Sequence, residues 1–308
     1  MKRIILLTIS IICGGVFSSI AQQLPQFTQY MYNTIAVNPA YAGSRGALSI
    51  IGLNRNQWVG FDGGPNTQTL SIHSPLRNEK IGLGLSLLND KTGYENFSYA
   101  YADFSYTIKA SETVNVAFGL KGGFSYYKID AELMNDPDVS SDPYFNEKLN
   151  RLTANFGAGI YVHTNKWYLG LSSPRLINTT YTKDNDFKAF EQLHYYAIAG
   201  YVFTLNNNLK FKPTFLTKYT TNAPLSYDAT ANFLFQEKYW LGGSYRMNGQ
   251  ERAIGLIADM QVNKQLRLGY AYEIATGEIR PYTSGSHEIL LIYEFKFLIG
   301  KFRSPRYF

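Results

Sequence analysis

Three things are scarce in this chain, and each scarcity removes a class of answer. Cysteine occurs once among 308 residues, at Cys13. A disulfide framework and a cysteine-built zinc site are therefore excluded. Long apolar runs are missing too: after residue 21 no window offers the roughly 18 consecutive apolar residues that a membrane-crossing helix needs. Charge is thin at 17%, against about 25% in an ordinary soluble domain. The formal balance of +6 is small and scattered, with no basic stripe of the kind that grips nucleic acid.

Motifs that carry chemistry are equally sparse. His73, His163, His194 and His287 lie far apart, without the spacing zinc requires. GLGLS at 82–86 sets Gly82, Gly84 and Ser86 on one strand face, with no helix or Lys-Ser/Thr behind it to cradle a phosphate. A G-x-S-x-G elbow is absent. Two acidic stretches, NDPDVSSDPYFNE at 135–147 and TKDNDF at 182–187, carry hard oxygen ligands but spell no complete calcium loop. Solvated carboxylates are the expectation there. No enzyme activity, metal or cofactor is expected.

What is present is aromatic and alternating. Tyrosine (25), phenylalanine (20), tryptophan (3) and glycine (26) are abundant. The opening MKRIILLTISIICGGVFSSIAQQ has a basic start, an apolar run from Ile4 to Ile12, and small residues at Ser19 and Ala21. This predicts a secretory leader over 1–21, whose removal takes Lys2 and Arg3 with it and lowers the balance from +6 to +4. A lipoprotein leader using Cys13 is the alternative, opposed by Ile12 where a small residue belongs.

In RLTANFGAGIYVH, Leu152, Ala154, Phe156, Ala158, Ile160 and Val162 alternate with Thr153, Asn155, Gly157, Gly159, Tyr161 and His163. Period two places the two sets on opposite faces of a strand. Fourteen such segments are read, at 46–57, 65–75, 80–90, 95–109, 112–128, 151–163, 166–173, 191–206, 208–222, 225–236, 238–247, 250–262, 264–275 and 286–298. Most reach the ~9–11 residues of a tilted membrane crossing. Even-to-odd connectors are short, such as ASE, TNK, NNN, QEK and NKQ; odd-to-even ones are longer, apart from the tight MNGQ turn at 247–250. Outer-membrane barrels sort their connectors in this way, with short turns in the periplasm, and a soluble sandwich has no reason to.

The prediction is an all-β fold: a transmembrane antiparallel up-and-down β-barrel of about 14 strands over 46–308, in contact with outer-membrane lipid. Lys121, Lys210, Lys212, Lys218, Asp228, Arg246, Asp259, Arg267 and Glu273 fall on the lumen face. Trp58, Tyr126, Trp167, Tyr219, Trp240 and Tyr293 suit interfacial girdles. A soluble lipid-binding barrel or sandwich is the alternative.

Residues 26–43, QFTQYMYNTIAVNPAYAG, show no such alternation. Here the chain resembles the PorP/SprF family of outer-membrane proteins of the type IX secretion system. The resemblance is carried by QYMYN at 29–33, NPAYAGSRG at 38–46 and NRNQWVGFDGGPNTQTLSIHSP at 54–75. GLGLSLLNDKTG, GAGIYV, WYLGLSSP and the ending KFRSPRYF continue it in order. It implies a barrel in the outer membrane of a Gram-negative bacterium, working with type IX secretion components. An SprF-like member assists export and surface attachment of a large secreted adhesin by binding its C-terminal domain; a PorP-like member contacts the periplasmic ring. The stretch NQWVGFDGGPNTQTLSIHSP at 56–75 and the compact length lean toward the first.

A transporter for small or hydrophobic solutes is the alternative of a different class. For partner contact the long connectors 129–150 and 172–190 are candidates on the outside. The candidate partner-binding or plug residues are Gln29, Tyr30, Met31, Asn33, Asn38, Pro39, Tyr41, Gly43, Gln57 and Trp58. Segment 22–45 is too apolar to hang free in the periplasm, where the N-terminus is expected. It either plugs the lumen or offers a docking surface, and a plug is the expectation.

Overall fold

The computed structural model describes residues 25–130, 132–133, 150–180, 190–221, 223–249, 251–295 and Tyr307. Fourteen antiparallel strands follow one another around a ring: β1 (Leu48–Asn56), β2 (Asn66–Pro75), β3 (Ile81–Thr92), β4 (Glu95–Lys109), β5 (Asn115–Ile129), β6 (Asn150–His163) and β7 (Trp167–Ser173). Next come β8 (His194–Tyr201, resumed as Phe203–Asn206), β9 (Leu209–Thr220), β10 (Ser226–Phe235), β11 (Tyr239–Asn248), β12 (Glu251–Gln261), β13 (Leu266–Ala275) and β14 (Ser286–Phe295). Each strand bonds to its neighbours in sequence, and β1 pairs β14 from Leu48↔Phe295 to Asn56↔His287. That last ladder closes the barrel, which leaves no sheet edge around the ring to meet lipid.

The alternation explains why closure works. Leu256 is 69% exposed, on the outside, while its strand neighbours Gly255 and Ile257 are buried toward the lumen; Phe156 is 58% exposed between buried Asn155 and Gly157. No helix among the described residues is long and apolar enough to cross a membrane; the crossings are strands. One girdle expectation is corrected. Trp240 is buried and faces the lumen, because Tyr239 and Leu241 on either side take the outer face. All three residues of that stretch are apolar or aromatic, so composition could not show which face Trp240 takes.

All connections at one end hold two to five residues: 76–80, 110–114, 164–166, 207–208, 236–238 and 262–265. At the other end lie 57–65, 130–149, 174–193 and 276–285, but also the five-residue connector 221–225 and two tight turns, at Gly249 and at 93–94. The turn at 93–94 was not foreseen. The acidic stretches 135–147 and 182–187, and with them residues 134–149 and 181–189 of the two longest connectors, lie outside the described residues.

Candidate functional site

The site is the lumen itself, because a segment of this chain fills it. Three short 3₁₀ turns, Tyr30–Tyr32, Thr34–Ala36 and Pro39–Tyr41, fold residues 25–47 into an irregular strap. Pro39 at the first helical position and the Asn38 side chain, which accepts from the Ala40 N–H at 3.0 Å, start the third turn.

Partners along the strap give its course. Gln26 Nε2 donates to Ser226 Oγ (2.7 Å), at the long-connector end of β10. The Asn33 amide meets Thr69 Oγ1 at 3.0 Å, and Lys121 Nζ donates to the Ile35 carbonyl at 3.1 Å. Ser172 Oγ reaches the Val37 carbonyl (2.8 Å), and Asn38 Nδ2 donates to the Ile160 carbonyl (3.0 Å). Toward the short-turn end Ser105 Oγ donates to the Ala42 carbonyl (2.7 Å) and Gly43 N–H to His73 Nδ1 (3.1 Å). Arg45 there pairs with Glu294 at 2.6 Å. The strap thus runs the length of the barrel, with Arg45 at the short-turn end and Gln26 at the long-connector end, opposite the short-turn side on which the N-terminus was expected.

Apolar burial holds its middle. Met31, Tyr32, Ile35 and Tyr41 are buried in one cluster with Ile51 and Leu290 of the wall. The rings of Tyr41 and Tyr161 meet edge-on at 5.4 Å. Arg267 stacks 3.8 Å over the Tyr32 ring, with Trp240 edge-on at 6.5 Å. The Tyr30 hydroxyl shares a 2.9 Å hydrogen bond with Thr214 Oγ1.

Charge organises the wall facing residues 28–32. Arg55, fully buried, pairs with Glu273 (2.8 Å) and Glu288 (3.2 Å). Arg246 bridges Asp228 (2.5 Å) and Glu273 (3.1 Å), and Arg267 pairs with Asp259 at 3.0 Å. Glu288 also accepts the backbone N–H groups of Thr28 (2.8 Å) and Gln29 (2.7 Å). Thr28 Oγ1 donates to Glu273 at 3.0 Å and accepts from Arg55 at 2.6 Å. Buried charges with partners of this quality cost far less than isolated ones.

Gln29, Tyr30, Met31, Asn33, Asn38, Pro39, Tyr41 and Gly43 all belong to this strap. Gln57 and Trp58 lie apart from it, in the β1–β2 connector. There Val59 N–H donates to the Gly285 carbonyl and Ser284 N–H to that of Val59, both at 2.8 Å; Gly93 N–H donates to the Gly63 carbonyl at 2.9 Å. Trp58 sits at φ 52°, with its ring against Phe61 at 6.4 Å. Three connectors are thereby tied into one rim that exposes Val59, Phe61 and Tyr282. Sequence reasoning missed Arg55, Glu288 and Thr28. The available signal was parity: Arg55 shares a face with Ile51 and Leu53, an odd place for a charge unless a partner waits inside.

Such a lumen can hold a polypeptide. No group of three or more His, Cys, Asp or Glu side chains suited to a metal occurs among the described residues. The sequence profile described as "Type IX secretion system membrane protein PorP/SprF" matches residues 19–293. The chain belongs to the PorP/SprF family. It is accordingly an outer-membrane β-barrel of the type IX secretion system. The sequence has no significant match among curated proteins. Among solved structures, the "CymD monoaromatic hydrocarbon channel" is 11% identical with a TM-score of 0.53, over 86% of this chain and 93% of that one. Outer membrane protein Omp33 of Acinetobacter baumannii is 9% identical with a TM-score of 0.47, over 81% and 98%. The likeness to the first shows a shared barrel fold and nothing about cargo.

Proposed function

We propose that this PorP/SprF-family barrel is a non-enzymatic partner in export and surface attachment of a large secreted adhesin, whose C-terminal domain it binds at the long-connector end, outside the cell. The observation that carries this reading is the filled lumen. A transporter needs a continuous aqueous path or an internal pocket for its solute, and here the strap, its aromatic cluster and the charge pairs occupy that path. The cavity left between Phe27, Val37, Tyr99 and Arg175 measures about 50 Å³, room for a water or two. The tied rim, with Phe61 and Tyr282 exposed on it and Trp58 half-buried beside them, supplies the kind of aromatic surface that protein partners use. Residues 25–45 act as a plug.

The test is capture and flux on one preparation. Detergent-solubilised barrel is expected to retain the C-terminal domain of a large secreted surface protein and, in planar bilayers, to conduct no more than background. Sustained single-channel conductance with no such domain retained would replace this reading with the transporter one. Capture of periplasmic ring components in place of the secreted domain would favour the PorP-like role.

A further inference from the structure

The strap is held by two different kinds of anchor. From Pro39 to Ala42 its backbone lies directly on wall glycines: a Cβ on Gly119 would collide with Pro39 and Ala40, and one on Gly82 with Ala42. That fit is specific to this strap. At the long-connector end the anchor is a carboxylate on main chain. Glu288 takes two successive backbone N–H groups, from Thr28 and Gln29, while Glu273 and Arg55 take the Thr28 hydroxyl. Backbone N–H groups are offered by every residue except proline, so this grip reads little of the strap's own sequence.

We propose that residues 25–29 occupy, in cis, a binding site for a polypeptide segment of the secreted partner. The incoming chain enters from the long-connector end and presents two successive N–H groups to Glu288 and a hydroxyl or amide to Glu273 and Arg55. The occupant's chemistry is given by what is seated there now, a stretch of main chain carrying one hydroxyl. Exchange replaces each bond with its equivalent, so Glu288 and Arg55 are not left buried without partners. Residues 35–43 stay on their glycines throughout and keep the barrel closed. This inference rests on the partner reading above and specifies where the partner's chain goes.

Two measurements on the folded chain, in a Cys13→Ser background, test it. First, Phe27→Cys is expected to react with a water-soluble maleimide at least about tenfold faster than Ala40→Cys, and Glu288→Gln to raise the Phe27→Cys rate further. Equal rates in both backgrounds overturn the exchange. Second, a chain lacking residues 25–29, shown by heat-modifiable gel migration to be a closed barrel, is given a fluorescein-labelled synthetic peptide of residues 25–33. Saturable binding is expected, weakened at least about tenfold by Glu288→Gln, the scale of a lost hydrogen bond to a charged group. No saturable binding up to millimolar peptide, or binding indifferent to Glu288→Gln, overturns the proposal. Either failure with capture of the secreted domain intact would move the partner to the rim and leave the proposed function standing.

Discussion

The two halves of the lumen wall hold one segment by different physics. On the β3–β7 side Gly82, Gly119, Gly159 and Gly170 face the strap, and its backbone and the Asn38 side chain fill the space where side chains would be. On the β10–β14 side Asp228, Arg246, Asp259, Arg267, Glu273 and Glu288 face it, and charge pairing organises the contact. The steric half requires an absence of side chain, and any added atom is a clash. The ionic half requires complete partnering, and removing one member leaves a buried charge short of a partner. The lesson is that a barrel can bind its own chain tightly at one end and interchangeably at the other.

The largest effect should come from breaking the ionic half. Arg55→Met leaves Glu273 and Glu288 without their shared cation and is expected to cost about 3–5 kcal/mol, read as a lower urea midpoint of the detergent-folded barrel. Adding Glu288→Leu to it should recover part of that loss; no recovery would mean that Arg55 acts through packing alone. Gly119→Val attacks the steric half instead. Overpacking of about 1–3 kcal/mol is expected, together with new protease cleavage between residues 30 and 42, since the strap cannot seat; an uncut strap would show that the wall yields.

Smaller effects sharpen the contrast. Asn38→Ala removes the cap on Ala40 and the bond to Ile160 and should cost about 1 kcal/mol, a drop in melting temperature that salt leaves unchanged. The smallest change lies outside the lumen. The Lys91 ammonium, 3.2 Å away, holds the exposed Asp130 carboxyl below the usual carboxylate range, with the Glu132 N–H assisting. Its contribution is present above the ordinary carboxylate pKa and fades as the pH falls through the lowered one. Lys91→Ala should therefore raise the Asp130 titration seen by NMR and leave the melting temperature where it was.

Strand number, the lipid-facing set and the sorting of connectors were legible because each depends on residues a few positions apart. Leu152 to Val162 declare their face by alternation alone. The lumen charges were legible in part for the same reason: Asp228, Arg246, Asp259, Arg267 and Glu273 stand at inward parity. Trp240 misled because its neighbours are apolar too, and parity has nothing to contrast it with. Arg55 and Glu288 were passed over because a charge at inward parity names no partner. Thr28 meets Glu288 across 260 residues of chain.

By itself, then, the sequence determined that this is a closed fourteen-stranded cylinder with a greasy exterior, and its family motifs determined the secretion system it serves. Only the tertiary structure decided that residues 25–47 run inside the cylinder, and which wall grips them by fit and which by charge. Strand patterning is a local property of the pleat, repeated every two residues. The strap's path is set by contacts between segments that closure brings together, and no local pattern encodes them.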